Sequence, residues 1–206
     1  MNPTKKMTML AFGLLLAGVG FAQTANDSSP GLLGQRYAEL GLARHELKFS
    51  GDHAYSLGGG VNLPAVPPLL DVSLGYSHQW MRGARRGHSD IFSAMPIAYA
   101  PLKEVKPFVG LGMGWQTAGF GYEPRGLWGA VAGIEFGSGN FTFTPRINYV
   151  DDFEVSRVSV QQWSWAVEGN CWLAPRTGIF ASVGRSEVVR NPGRSWDYQI
   201  GLRVKF

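Results

Sequence analysis

The chain has 206 residues, of which 45% are hydrophobic, 17% charged and 13% aromatic, with 28 glycines. That length allows one domain or at most two, and the composition excludes a disordered or strongly charged class. The formal charge is +4, but removing a leader that carries Lys5 and Lys6 reduces 19 basic residues to 17 against 15 acidic ones, so nothing in the charge points to nucleic acid.

Residues 1–22 read as a cleaved secretory signal peptide. Lys5 and Lys6 precede an apolar run from Met7 to Val19, and Gly20, Phe21 and Ala22 place small residues at the −3 and −1 positions. The run is too short for a spanning helix. Gln23 follows where a lipoprotein would carry cysteine. Residues 23–33 are polar with Ser, Asp, Asn and Pro, and read as a disordered lead-in to a domain over 34–206. Cys171 is the only cysteine, so no intramolecular disulfide can form.

From residue 35 onward strand patterns follow one another with hardly any room for helices. The first, 35–48, sets Ala38, Leu40 and Leu42 against Glu39 and Gly41. The second, 53–62, sets Tyr55, Leu57, Gly59 and Val61 against Ser56, Gly58, Gly60 and Asn62, and a turn with Pro64, Pro67 and Pro68 leads on. The third sets Leu70, Val72, Leu74 and Tyr76 against Asp71, Ser73, Gly75 and Ser77. The fourth, 90–100, has no clear phase and contains Pro96. The fifth alternates Val109, Leu111, Met113 and Trp115 with Gly110, Gly112 and Gly114.

The sixth, 127–136, puts Trp128, Ala130, Ala132, Ile134 and Phe136 opposite Gly129, Val131, Gly133 and Glu135. A Gly137-Ser138-Gly139-Asn140 turn makes a hairpin with the seventh, where Phe143, Pro145, Ile147 and Tyr149 oppose Thr142, Thr144, Arg146 and Asn148. The eighth, 161–173, opposes Trp163, Trp165, Val167 and Cys171 to Ser164, Ala166, Glu168 and Asn170. A ninth at 177–188 has uncertain phase. The last eleven residues alternate without a fault: Trp196, Tyr198, Ile200, Leu202, Val204 and Phe206 against Asp197, Gln199, Gly201, Arg203 and Lys205.

A strand with one apolar and one charged face lies between an oily and a wet phase. Its length matches the ~9 to 11 residues a tilted strand needs to cross hydrocarbon. The fold class expected is therefore all-β, a closed antiparallel up-and-down transmembrane barrel with ten strands, or eight as the fallback. If the first strand runs outward, Trp80, Trp115, Trp128, Trp163, Trp165 and Trp196 fall at the outer rim. Phe136, Phe141, Phe143 and Phe206 collect at the inner rim, giving the two aromatic girdles of a membrane barrel. The competing arrangement is a soluble secreted barrel with its apolar face inward. The many glycines and serines on the polar face suit a crowded lumen better than a solvated surface.

On this reading Glu39, Asp71, Glu135, Glu168 and Asp197 share the lumen with Arg146, Arg203 and Lys205, and pairing among them is expected. They would form either a salt-bridged plug or the lining of a narrow water path. Arg82, Arg85 and Arg86, with His88 beside them, are candidates for binding lipopolysaccharide phosphates at the outer rim. His45, His53, His78 and His88 all map to that rim, with Asp52, Ser77 and Asp90 close in sequence. Rim histidines with Asp or Ser leave open a hydrolase or acyltransferase acting on lipid or peptide. No motif of known barrel enzymes is recognisable, so the expectation is a non-enzyme with no catalytic residues, metal or cofactor.

The terminal strand, which alternates and ends on Phe206, resembles the C-terminal signal of bacterial outer-membrane barrels, and this implies delivery by the barrel assembly machinery. Pro107 to Gly114 (PFVGLGMG), Gly133 to Phe136 (GIEF) and Arg146 with Tyr149 resemble the small outer-membrane barrels typified by outer-membrane protein A. That family usually has eight strands. The resemblance implies a multi-pass barrel in the cell outer membrane of a Gram-negative-type envelope. The role expected is structural or passive and porin-like, with outer-membrane lipid as the partner and the chain monomeric.

Overall fold

The computed structural model describes residues 31–47, 53–82, 87–119, 123–153, 161–189 and 194–206. Residues 1–30, which hold the expected signal peptide and most of the expected lead-in, lie outside them. Ten strands follow in chain order: β1 (Tyr37–Leu47), β2 (His53–Val66), β3 (Leu70–Arg82), β4 (Gly87–Tyr99), β5 (Val105–Gln116), β6 (Arg125–Ser138), β7 (Phe141–Asp152), β8 (Gln162–Trp172), β9 (Thr177–Val188) and β10 (Arg194–Lys205). Each pairs antiparallel with its sequence neighbours, and β1 pairs with β10 along its whole length, so the sheet closes as an up-and-down barrel of ten strands. Closure leaves no unpaired sheet edge, which is what a strand protein needs in order to sit in lipid.

The two ends differ. Both ends of the barrel sequence and the short connections 67–69, 100–104, 139–140 and 173–176 lie at one end, here the turn end. The strand ends on either side of 48–52, 83–86, 117–124, 153–161 and 189–193 lie at the opposite end, here the loop end. In membrane barrels the short turns face the periplasm and the longer loops face outward.

The side chains settle which face meets which phase. Leu40, Leu42, Val109, Leu111, Met113 and Ile200 are each 55–67% exposed on the outside of the wall. Glu39, Asp71, Glu135, Glu168, Asp197 and Arg203 are turned inward and buried or nearly so. A water-soluble barrel would reverse this, so the soluble alternative is excluded.

Prolines leave a visible mark on the ladders. Between β4 and β5 the register jumps from Ala94↔Met113 to Ile97↔Gly110, skipping Pro96, which has no N–H to donate. Between β6 and β7 it jumps from Gly133↔Arg146 to Phe136↔Phe143, skipping Pro145. Both prolines stay in the wall because each keeps its partner on the opposite side, Val72 for Pro96 and Val167 for Pro145.

One expectation is corrected here. Residues 31–33 are no loose lead-in: Leu32 and Leu33 are 2% and 1% exposed, tucked inside the turn end of the barrel. An apolar pair beside a large apolar and aromatic interior gains more from burial than a short chain loses in entropy.

Candidate functional site: a divided lumen closed at its turn end

The lumen has two unlike walls. From β7 through β10 and round to β3 it is polar. Arg203 of β10 is its centre: Nε and Nη2 both lie 2.9 Å from Glu39 Oε2 on β1, Nη2 lies 2.7 Å from Glu168 Oε1 on β8, and Nη1 donates to Asn170 Oδ1 at 3.3 Å. The guanidinium also stacks over Phe180, 4.2 Å from the ring centre. Arg146 of β7 donates to the other oxygen of Glu168 at 3.1 Å. Two arginines and two carboxylates thus form one chain along the inner wall, from β7 through β8 and β10 to β1. Buried charges are tolerated only when paired this fully.

From β4 to β6 the middle of the lumen wall is largely apolar instead, between Ser89, Gln116 and Arg125 toward the loop end and Lys106 and Glu135 toward the turn end. Ile91, Met95, Ile97 and Tyr99 of β4 all point inward, and they face Phe108, Leu127 and Val131. Phe92, Ala94, Pro96 and Ala98 take the outward positions from residue 92 on, so this part of β4 is largely apolar on both faces. That explains why its alternation is unreadable.

At the turn end the segment 31–35 closes the bore. The N–H groups of Leu32 and Leu33 donate to the Glu135 carboxylate at 2.9 and 3.3 Å, and that of Gly34 donates to Asp71 Oδ2 at 2.9 Å. Lys106 Nζ donates to the Leu33 carbonyl at 3.0 Å and lies 3.7 Å from Glu135 Oε1. Leu33 packs with Met95, Ile97, Tyr99, Phe108 and Val131, and Leu32 with Tyr37 and Trp172. Gly31 is required at its place: its φ is +136°, and a β-carbon would collide with the Glu135 carboxylate.

At the loop end a second polar cluster spans the closing seam. His45 Nδ1 of β1 lies 2.7 Å from Asp197 Oδ1 of β10, and His45 Nε2 lies 3.4 Å from Ser56 Oγ of β2. Ser186 and Ser195 donate to the same carboxylate at 2.6 and 3.2 Å. His45 therefore does not stand on the rim as its sequence position suggests; it is wholly buried in the lumen. His78, in contrast, points outward, 2.9 Å from Asp90 Oδ1, which also accepts from Tyr76 at 2.8 Å.

Of the expected lumen charges, four (Glu39, Glu168, Arg146 and Arg203) meet in one network. Asp71 and Glu135 are drawn instead to the backbone of the inserted segment, Asp197 to His45, and Lys205 Nζ sits 4.2 Å over the Trp172 ring. Lys106 and Arg125 are lumen charges that strand alternation would have revealed. Lys106 shares its face with Gly110 and Gly112, and Arg125 shares its face with Glu135; Arg125 donates to Asp152 Oδ2 at 3.1 Å.

Trp80, Trp115, Trp128, Trp163, Trp165 and Trp196 point outward near the loop end. Trp128 and Trp163 pack against Tyr149, and Trp165 against Trp196. Phe136 and Phe143 pair at the turn end, with Phe206 exposed there too. Trp172 also lies at the turn end but faces the lumen. Arg85, Arg86 and the side chain of Arg82 lie outside the described residues. Among the described residues, no group of three or more His, Cys, Asp and Glu side chains is placed to hold a metal ion.

Space inside is scarce. A lumen void of about 40 Å³ is bounded by Ile91, Met95 and Leu127 on one side and by Arg146, Gln162 and Ser164 on the other, and it takes on the order of a few waters. A closed wall with an apolar exterior and an ion-paired, nearly filled interior defines the class: an integral β-barrel of the bacterial outer-membrane type.

The comparisons agree at the level of the fold. No protein-family model matches the chain, and no curated protein matches it in sequence. The chain is similar in structure to an outer-membrane channel from Pseudomonas putida F1, with a TM-score of 0.56 and 7% identity, over 89% of this chain and 100% of that one. It also aligns with the KdgM porin (TM-score 0.46, 11% identity, 82% and 99% covered). The N-terminal β-barrel domain of Pseudomonas aeruginosa OprF aligns as well (0.37, 12%, 85% and 99%). The first likeness carries the barrel fold and nothing finer.

Proposed function

We propose that the chain serves as an outer-membrane barrel with a structural or passive small-solute role, closed at rest. The observation that carries this reading is the lumen itself: the Arg203 network ties β7, β8, β10 and β1 together by buried ion pairs, and residues 31–35 are held inside the turn end. In this reading the outward tryptophans and phenylalanines anchor the barrel at the two lipid interfaces. Lipid is its partner, with lipopolysaccharide phosphates held by Arg82, Arg85 and Arg86, and the barrel assembly machinery inserts it as a monomer. The test is planar-bilayer recording of the refolded full chain. Rare, brief current steps in protein that shows heat-modifiable migration support the reading, and large steady porin currents count against closure.

A second reading has one specific observation behind it, the Ser56–His45–Asp197 alignment, in which a hydroxyl, an imidazole and a carboxylate stand in the order that activates a serine nucleophile. Ser56 is 2% exposed, which favours a structural use. A fluorophosphonate that labelled the folded protein, and failed to label Ser56→Ala, would favour the hydrolase.

A further inference from the structure

The apolar wall has more to do than finish a core. Apolar side chains line this wall from Ile91 and Leu127, beside the void and next to Ser93, to the packed cluster of Met95, Val131, Ile97, Phe108 and Tyr99 toward the turn end. Met95 borders both the void and Leu33. The far side of the void is made of hydrogen-bonding groups, Arg146, Asn148, Gln162 and Ser164. A pore that passes only ions or sugars gains nothing from such a wall. A solute with one greasy face and one hydrogen-bonding edge would match both sides at once.

We propose that the lumen is a self-plugged track for small neutral solutes of that amphipathic kind, of the size and chemistry of a phenol, with residues 31–35 as the displaceable plug. Leu33 occupies the part of the track such a solute would take. This inference rests on the closed-barrel reading above and names the solute class for it.

The way the plug is held suits withdrawal. It adds no strand to the sheet; its backbone is held by three side chains, Glu135, Asp71 and Lys106. When it leaves, Lys106 and Glu135 keep each other, 3.7 Å apart, so no bare charge is stranded between them. Segments with few ladder hydrogen bonds open locally far more readily than the barrel unfolds. Withdrawal of Leu33 joins its volume to the existing void past the flexible side chain of Met95.

The experiment uses full-length protein in planar bilayers, with heat-modifiable migration as the check on folding and insertion. Leu32→Ser with Leu33→Ser touches no barrel strand and removes the apolar grip of the plug. Open time should rise by about tenfold or more, the factor set by losing at least one buried leucine's worth of transfer energy. Asp71→Asn is the second plug variant and should raise open time less.

4-Fluorophenol should then depress the open-state current, while arabinose at the same concentration should not. Adding Leu127→Trp, which fills the track, should abolish the phenol effect. Protein that fails to insert or shift on gels overturns the barrel reading itself. Inserted variants as silent as the parent overturn the plug. Open variants that respond alike to phenol and arabinose, or to phenol regardless of Leu127→Trp, overturn the track.

Discussion

Glu39 and Arg203 face each other directly across the seam where the first and last strands meet, register partners with both guanidinium contacts at 2.9 Å. Six residues further along β1, His45 and Asp197 are register partners on the same seam and are also in contact. Closure of the barrel is thus marked on its inner face by two polar pairs, one near the turn end and one near the loop end. A seam is the one strand pairing with no hairpin to bring it together, so side-chain complementarity there adds specificity of register to the main-chain ladder.

Removing the arginine should therefore be costly in a particular way. Arg203→Met strands Glu39 without its ion-pair partner and leaves Glu168 with Arg146 alone. A loss of about 3–5 kcal/mol is expected from one broken partner of a buried network. Adding Glu39→Gln alone to the same variant should restore much of that loss, because the stranded carboxylate is then gone while Glu168 keeps Arg146. Urea unfolding in lipid vesicles, followed by tryptophan emission, measures both. Equal stability of the single and double variants would show that the charges are not coupled.

The second seam pair separates a structural acceptor from a marginal contact. Asp197→Ala leaves the Ser186 and Ser195 hydroxyls and His45 Nδ1 without their acceptor, and should cost about 3 kcal/mol. Ser56→Ala removes only a 3.4 Å contact and should cost less than about 1 kcal/mol. The same unfolding assay reads both, and the reverse order would mean that Ser56 is held by more than His45.

These two pairs show what sequence could and could not reveal. Strands with strict alternation, such as β5, β6 and β10, disclose their outward face residue by residue, because lipid demands apolar side chains at every second position. β4 does not, since Ile91, Met95 and Ile97 line an apolar stretch of lumen and Phe92 and Ala94 meet lipid, leaving no contrast to read. Glu39 and Arg203 could be assigned to the lumen, but that they meet depends on a register between the two ends of the chain that no local pattern encodes. The inserted segment 31–35 was hidden for a different reason: five residues have no period, and their anchors, Asp71, Glu135 and Lys106, come from three strands far apart in sequence.

The outward tryptophans offer a direct check on orientation in lipid. Trp115, Trp163 and Trp165 are 44–52% exposed on the exterior, whereas Trp172 is buried against the lumen beside Lys205. Brominated acyl chains quench indoles they can touch. Trp172→Phe should leave the quenched fraction of emission unchanged or slightly larger. Replacing Trp115, Trp163 and Trp165 together by Phe should reduce it sharply. Loss of quenching on Trp172→Phe alone would mean that this ring reaches lipid and that the phase of β8 is wrong.

Two glycines should respond to substitution for opposite reasons. Gly139, in the tight turn between β6 and β7, has φ +57° with nothing within 4 Å of where a β-carbon would stand. Gly139→Ala should cost about 1 kcal/mol through its backbone alone, and Gly139→Asn much less, because asparagine tolerates that conformation. Gly201 of β10 has an ordinary extended backbone, but a β-carbon there would press into the Leu40 carbonyl and the Phe180 ring that stacks on Arg203. Gly201→Ala should cost about 1–3 kcal/mol as overpacking, and asparagine should be worse than alanine, the reverse of the turn. Trimming Phe180 to leucine should recover part of the Gly201→Ala loss but none of the Gly139→Ala loss. Folding yields of the five single variants, Phe180→Leu among them, and the two doubles in vesicles decide it, and rescue at both glycines or at neither would separate Phe180 from the crowding at Gly201.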